Sequence, residues 1–160
     1  MKETFTYPFF FRLIYRYGNI GATLVLLLYM VPMLNFTDAP IGQKIYAGLI
    51  VIMIFFLNRY FLRLNQKTPY RIELVDDRLI CTDFFLSKKK IVINAAEITD
   101  LYGGIFDGRT RGMMRVITSG EEIIFYHSLP NADKLEAYLI SKAKKEIYDR
   151  VVANIRNRKK

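Results

Sequence analysis

The chain has 160 residues, of which 52% are hydrophobic, and its formal net charge is +9 at pH 7. This length has room for one ordinary domain, or for a membrane anchor with one small domain of about 80 to 90 residues. The single cysteine, Cys81, excludes an internal disulfide framework and a cysteine-based metal site within one chain. The positive charge favours an anionic partner, for which the candidates are nucleic acid, the phospholipid surface and an acidic protein face.

Charge is distributed unevenly along the chain. Residues 17–37 and 45–58 contain no charged side chain, and only four of the 24 Lys and Arg residues precede residue 59. This division predicts an N-terminal membrane anchor followed by a basic soluble domain. A cleaved signal peptide is the competing interpretation of the first apolar run. However, residues 35–40 (NFTDAP) lack the small-residue cleavage site, and a second apolar run follows.

Residues 1–16 precede the first apolar run and combine aromatic and aliphatic side chains with the cations Lys2, Arg12 and Arg16. This composition predicts an amphipathic segment that lies in the membrane interface. Pro8 would mark the start of this segment.

The two apolar runs predict a transmembrane helical hairpin over residues 17–62. The first run supplies 21 uncharged residues, where about 20 are needed to cross the hydrocarbon. The second supplies 14, and it reaches spanning length by extending to residue 62 with Lys44 and Arg59 directed toward the headgroups. A buried soluble helix is the alternative for so short a run. Cations flank the outer ends of the hairpin, so the positive-inside rule predicts that both termini are cytoplasmic.

Small residues in the two helices predict close helix packing, either inside the hairpin or between copies of the chain. They are Gly18, Gly21, Ala22, Ala47 and Gly48. Asn19 and Asn58 are interpreted as polar anchors near the cytoplasmic ends rather than as a transport site. The middle of each predicted span has no ionisable residue, which argues against a transporter or channel.

Residues 69–150 contain short β-type runs separated by turn residues. Asp76-Asp77 and Ser119-Gly120 each separate two such runs and predict β-hairpins. A single amphipathic helix is predicted after Pro130, and residues 151–160 are predicted to form a basic tail. The six predicted strands cover residues 70–75, 78–86, 91–93, 97–102, 113–118 and 121–126.

Antiparallel strands followed by one C-terminal helix resemble the pleckstrin-homology-like domains of small bacterial membrane proteins. The resemblance is carried by residues 72–80 and 93–101, by the hairpin around Ser119-Gly120, and by the start of the helix at 131–135. It implies a partly open barrel or orthogonal sandwich plugged by the helix, and a module that binds lipid headgroups, peptides or proteins. Lipid-binding members usually have a basic first hairpin loop, whereas the loop here is Asp76-Asp77-Arg78. A headgroup site of that form is therefore not expected.

Two cationic turns are the candidate sites for an anion or a partner. Residues 103–112 (GGIFDGRTRG) predict one of two structures. The first is a mobile loop whose Arg109 and Arg111 meet phosphate or carboxylate groups, and the second is a strand connection with glycines at positive φ. The other turn predicts either contact with an anionic leaflet or a merely solvated turn. It consists of Lys88, Lys89 and Lys90.

The expected fold class is an α+β membrane protein, in which a two-helix transmembrane hairpin precedes a small antiparallel β-barrel or sandwich capped by a C-terminal helix. The lone His127 is expected to be structural, because one histidine supports neither a metal site nor a catalytic triad here. The expected function is a non-enzymatic accessory or scaffold protein of the bacterial cytoplasmic (inner) membrane, without a cofactor, that binds a partner protein or anionic lipid headgroups.

The alternative is a structural subunit of a larger membrane complex. The expected partners are the phospholipid bilayer and either another protein or further copies of the chain. An interfacial enzyme acting on lipids and a nucleic-acid-binding role are both disfavoured, because the chain shows no convergent catalytic group and the phospholipid bilayer is the nearest anion for an anchored chain.

Overall fold

The computed structural model describes residues 2–33 and 39–158. The chain forms two compact units. The helical unit is Leu13–Asn65, and the sheet unit combines Met1–Arg12 with Gln66–Lys160. The predicted end of the first span, at Thr37, lies outside the described residues.

Two long helices account for the predicted hairpin. α1 is Phe9–Met30 and α2 is Ile41–Lys67, so their 22 and 27 residues extend about 33 and 40 Å at 1.5 Å per residue. Both are long and apolar enough to cross a membrane. α1 gives way to a 3₁₀ turn at Val31–Met33, because Pro32 cannot continue an α-helical hydrogen-bond ladder. Large apolar side chains along both helices are exposed, including Leu28 at 68% and Phe56 at 62%.

The sheet unit contains all six predicted strands and one more. The first sheet has the antiparallel order β1-β2-β3-β4, and the second has the antiparallel order β5-β6-β7. Their bounds are β1 Lys2–Thr6, β2 Arg71–Val75, β3 Arg78–Thr82, β4 Ile91–Asn94, β5 Ile98–Tyr102, β6 Met113–Thr118 and β7 Glu122–Tyr126.

The α+β class is confirmed, whereas a closed barrel is not what the strands form. In the described part of the chain, strand pairing occurs only within the four-stranded and the three-stranded sheet. A 3₁₀ turn at Ala95–Glu97 separates β4 from β5 and interrupts the ladder where the chain passes from one sheet to the other.

The extra strand corrects the prediction for residues 1–16. β1 pairs with β2 across five residue pairs, and Phe5 and Tyr7 are each only 3% exposed. These residues therefore belong to the folded core of the sheet unit rather than to a membrane interface. Phe5 faces inward while its neighbours Thr4 and Thr6 are exposed, which is the alternation of a half-buried strand. Residues from Phe9 onward are part of α1.

The C-terminal region has two helices where one was predicted. α3 is Ala132–Lys142 and α4 is Lys145–Arg158, and the extended backbone of Ala143 (ψ 152°) separates them. Residues 151–158 of the predicted basic tail are instead the end of α4, in which Val151 is fully buried. Lys159 and Lys160 of the predicted tail lie outside the described residues.

Alternating strand residues build the core of the sheet unit. Ile72 and Leu74 of β2 and Leu79 and Cys81 of β3 point inward, and α3 adds Leu135 and Leu139. Burial raises the pKa of the Cys81 thiol to about 12, so that thiol is a packing group and not a nucleophile.

Candidate functional site

The glycine-rich connection between β5 and β6 contains a turn of regular secondary structure. A 3₁₀ turn at Gly104–Asp107 occupies it, and the ring of Phe106 is fully buried. The N–H of Gly103 donates a 2.9 Å hydrogen bond to the Asp107 carboxylate. These contacts close the first half of the connection against the sheet.

Glycine is needed in the second half of the connection because of a close approach to α4. Gly108 has φ +73°, and a Cβ at this position would lie 2.6 Å from the carbonyl oxygen of Asn154. The next residue is held as well, since the N–H of Arg109 donates a 2.9 Å hydrogen bond to the carbonyl of Gly104. The connection therefore has glycines at positive φ, as the interpretation of residues 103–112 as a strand connection predicted.

α4 packs on this connection with one face. Ile147 and Val151 are buried on that face, and the side-chain amide of Asn154 donates a 3.0 Å hydrogen bond to the carbonyl of Phe106. Their spacing of four and three residues places the three side chains on one side of the helix. α4 thus forms the support behind the glycine-rich connection.

Arg150 of α4 joins the helix to β5. Its guanidinium forms an ion pair with Asp100, donates a 2.8 Å hydrogen bond to the carbonyl of Leu101 and lies 4.8 Å from the centre of the Tyr102 ring. Burial raises the pKa of Asp100, but hydrogen bonds from Arg150, Tyr102 and the Leu101 backbone outweigh burial and leave this pKa below its usual value.

Arg109 and Arg111 project from this supported connection into solvent. Both are exposed. Among the residues that the structure describes, neither guanidinium forms an ion pair. The predicted cationic side chains are therefore available to an anion.

The lysine turn is only partly available. Lys89 forms an ion pair with Glu121, at 2.8 and 2.9 Å from its two carboxylate oxygens. Lys88 and Lys90 are exposed and have no ion pair within residues 2–33 and 39–158. One of the three predicted lysines is therefore neutralised by a neighbouring turn.

The structure does not bring the two cationic turns together. Arg111 lies just before β6 begins at Met113, whereas Lys89 contacts Glu121, just after β6 ends at Thr118. Six strand residues extend about 17 Å, so the turns lie at opposite ends of the β6–β7 hairpin.

Strand β7 contacts both points at which the chain passes between the sheet unit and the long helices. Glu122, its first residue, forms an ion pair with Lys67, the last residue of α2. Tyr126, its last residue, donates a 2.7 Å backbone hydrogen bond to the phenol oxygen of Tyr7, two residues before α1. The two cationic turns therefore flank a strand that is tied to both chain connections.

The predicted helix-packing residues behave differently from one another. Ala47 is buried, whereas Gly18, Gly21, Ala22 and Gly48 are exposed. A Cβ added at any of these three glycines would meet nothing within 4 Å. Of these five residues, Ala47 alone is buried, and the other four are open to a further molecule or to lipid.

Polar side chains join α1 to α2. The amide of Asn19 donates to Asn58 at 2.8 Å, and the amide of Asn58 donates to the Thr23 hydroxyl at 2.8 Å and to the Ile54 carbonyl at 2.9 Å. The asparagines that were interpreted as anchors form hydrogen bonds across the helix pair.

An open cleft of about 660 Å³ lies at the β2–β3 turn and was not predicted from the sequence. Asp77 forms a 2.9 Å ion pair with Lys142 and accepts a hydrogen bond from the Tyr138 hydroxyl at 3.4 Å. The Lys142 ammonium holds the pKa of Asp77 below its usual value. A carboxylate and an ammonium from distant parts of the chain meet here, a pairing that the sequence does not signal.

His127 has a carboxylate beside it. Its Nδ1 lies 3.5 Å from Oε1 of Glu136, whose side chain is almost completely buried. Burial raises the pKa of Glu136, and the His127 contact offsets part of this effect. In the described ranges, no three His, Cys, Asp or Glu side chains are grouped to hold a metal ion.

Comparison of the chain with protein-family models, curated proteins and solved structures found no match in any of the three.

Proposed function

We propose that this protein is a non-enzymatic accessory or scaffold protein anchored in the bacterial cytoplasmic membrane by α1 and α2, with both termini in the cytoplasm. Its sheet unit serves as a pleckstrin-homology-like binding module for an anionic lipid surface. The pleckstrin-homology-like assignment is supported by the order of antiparallel strands followed by C-terminal helices.

Membrane insertion is supported by the length and the exposed apolar surface of both helices. In water such a surface would be costly, at about 25 cal/mol for each Å² of apolar area left exposed. The orientation is supported by charge, because Arg12 and Arg16 near the start of α1 and Arg59 and Arg63 near the end of α2 contrast with Lys44 alone at the other end of α2.

The observation that carries the lipid-binding proposal is the position of β7. Its two ends contact Tyr7 and Lys67, which are the residues where the chain leaves for α1 and returns from α2. With both helices in the bilayer, the short covalent connections to α1 and from α2 keep the sheet unit within reach of the leaflet. Each exposed cation that meets an anionic headgroup contributes about 1 kcal/mol.

Anchoring and orientation are tested by cysteine labelling of the full chain. Cys81 is buried and its thiol has a pKa raised to about 12, so maleimide reports on introduced cysteines. In intact cells, we expect an impermeant maleimide to label the Gly42→Cys variant, and to label the Lys90→Cys variant only after permeabilisation. The reverse pattern, or extraction of the chain by alkaline carbonate, would contradict the proposal.

Lipid contact is tested with the full chain reconstituted into vesicles, because a fragment beginning near residue 64 would lack β1. An environment-sensitive dye on Thr110→Cys should shift its emission in an equal mixture of phosphatidylglycerol and phosphatidylcholine but not in phosphatidylcholine alone. The shift should diminish with salt, since screening shortens electrostatic reach. Identical emission in both vesicles would leave a partner protein as the ligand.

A structural subunit of a larger membrane complex, or of a homo-oligomer, is the second candidate. It is favoured by the exposed small residues Gly18, Gly21, Ala22 and Gly48, which permit close helix approach. Mild detergent extraction from native membranes separates the candidates, because a lone chain supports the accessory role and a defined larger assembly supports the subunit role.

A further inference from the structure

The packing of α4 brings a third arginine to the glycine-rich connection. Gly108 lies against the backbone of Asn154, and in an α-helix the carbonyl of Asn154 accepts the N–H of the residue four positions later. That residue is Arg158, the last residue of α4. The backbones of Gly108 and Arg158 therefore both adjoin the carbonyl group of Asn154.

The helical phase directs Arg158 toward the connection. Ile147, Val151 and Asn154 define the packed face of α4. Arg158 follows Asn154 by four residues and therefore lies on the same face. Arg156 lies only two residues from Asn154, about 200° around the helix, and therefore falls on a different side. Arg158 therefore lies on the face of α4 that packs on the connection containing Arg109, whereas Arg156 does not.

The surface around the glycine-rich connection and the end of α4 has an excess of positive charge. Arg109, Arg111 and Arg158 are all exposed, and no ion pair within the described ranges involves them. Of the two nearby carboxylates, Asp100 is paired with Arg150, whereas Asp107 keeps its negative charge while it accepts the Gly103 N–H. The Gly108–Asn154 contact thus brings exposed arginines of two segments, about 50 residues apart in the sequence, to the same side of the sheet unit.

We infer that Arg109, Arg111 and Arg158 form one phosphate-binding corner, which takes the headgroup phosphate of an anionic phospholipid. This inference rests on the proposed function, which supplies the lipid. Guanidinium groups suit this role because each presents two parallel N–H donors to phosphate oxygens. The backbone is already held by the Gly108–Asn154 contact and the Asp100–Arg150 pair, so little ordering of the chain opposes binding.

The corner is tested on the full chain in maltoside micelles by calorimetric titration with water-soluble dihexanoyl phosphatidylglycerol. Inorganic phosphate and dihexanoyl phosphatidylcholine are titrated in parallel. We expect Arg109→Ala, Arg111→Ala and Arg158→Ala each to weaken phosphatidylglycerol binding by about fivefold, the effect of one near-surface cation. Arg158→Lys should recover only part of the loss, because lysine is not bidentate.

One control removes the same charge from the same helix turn. Arg156→Ala should leave the affinity within about twofold, since Arg156 lies on a different side of α4 from Arg158. Equal weakening by Arg156→Ala and Arg158→Ala would show diffuse attraction and overturn the corner. Inorganic phosphate binding as tightly as the lipid would overturn the lipid assignment.

The phosphate-binding corner and the membrane anchor can fail independently, because none of these substitutions lies in α1 or α2. A chain that resists carbonate extraction but binds phosphatidylglycerol equally in all variants would refute the corner alone. A chain that binds through the three arginines but is extracted by carbonate would refute membrane anchoring alone.

Discussion

The backbone N–H of Tyr126 donates a 2.7 Å hydrogen bond to the phenol oxygen of Tyr7, a residue 119 positions earlier in the chain. The sheet unit is therefore assembled from sequence on both sides of the two long helices. Its stability depends on the N-terminal residues, and both β1 and Tyr7 contribute to it.

Tyr7→Phe tests this link. The change keeps the buried ring but leaves the Tyr126 N–H without its acceptor, which costs about 1 to 2 kcal/mol. We expect the free energy of unfolding of the full chain in urea to fall by this amount. Tyr148→Phe is the matched control, because Tyr148 is 45% exposed. Equal effects of the two substitutions would argue that the Tyr7 hydrogen bond contributes nothing specific.

Asp100→Asn tests the attachment of α4. The ionised carboxylate is stabilised by Arg150, so its pKa is lower in the folded chain than the ordinary 3.8. A lowered carboxyl pKa contributes stability above the unfolded value, and this stability is lost as pH falls through the folded value. At pH 7 we expect the substitution to cost about 1 kcal/mol, discounted for partial exposure.

The pH dependence distinguishes this effect from general damage. Urea titrations from pH 7 to pH 2 should show the gap between the original chain and Asp100→Asn closing below about pH 4, as Asp100 becomes protonated. Asp149→Asn, an exposed aspartate on α4, is the control. A gap that stays constant down to pH 2 would contradict the assignment.

Glu136→Gln should act in the opposite direction. Burial raises the pKa of Glu136 above the ordinary 4.5, so the folded chain binds this proton more tightly than the unfolded chain. The associated stability is present below pH 4.5 and is lost as pH rises through the folded pKa. At pH 7 the neutral amide should therefore be as stabilising as the carboxylate or better, by up to about 1 kcal/mol.

Thermal unfolding at pH 4 and pH 7 provides the measurement for Glu136→Gln. The substitution should raise the melting temperature at pH 7 relative to its effect at pH 4. Glu146→Gln, at an exposed position of α4, should shift neither value. If Glu136→Gln is markedly destabilising at pH 7, the carboxylate must be needed by His127 or another donor.

Asn58→Leu tests the hydrogen bonds between α1 and α2. Loss of the contacts with Asn19 and Thr23 should weaken the helix pair by about 1 kcal/mol, the usual size of an interhelical hydrogen bond in a membrane protein. The stability of the helix pair is measured by titrating the full chain from maltoside into SDS and monitoring unfolding by circular dichroism. Gly21→Ala should have no such effect, since a Cβ there meets nothing within 4 Å.

Gly21→Ala also separates two roles of the exposed small residues. If copies or partner subunits pack through this surface, the substitution should disperse a native assembly while leaving the helix pair of one chain intact. An unchanged assembly would indicate that the surface faces lipid.

The apolar helices and six of the strands were predictable because their signals are local. A charge-free run of 21 residues and the alternation around Asp76-Asp77 each specify one element without reference to the rest of the chain. The boundaries were less predictable. The chain around Ala143 has neither Gly nor Pro to mark the break between α3 and α4, so packing of the two helices determines where the first one stops.

The sequence by itself determined that this protein has two long apolar helices, antiparallel hairpins and an excess of cations after residue 59. Only the tertiary structure decided that residues 2–6 pair with β2, that Glu121 neutralises Lys89, and that α4 places Arg158 beside Gly108. The physical reason is distance along the chain. Period and charge density are properties of neighbouring residues, whereas strand partners, ion pairs and composite sites depend on contacts between segments that no local pattern relates.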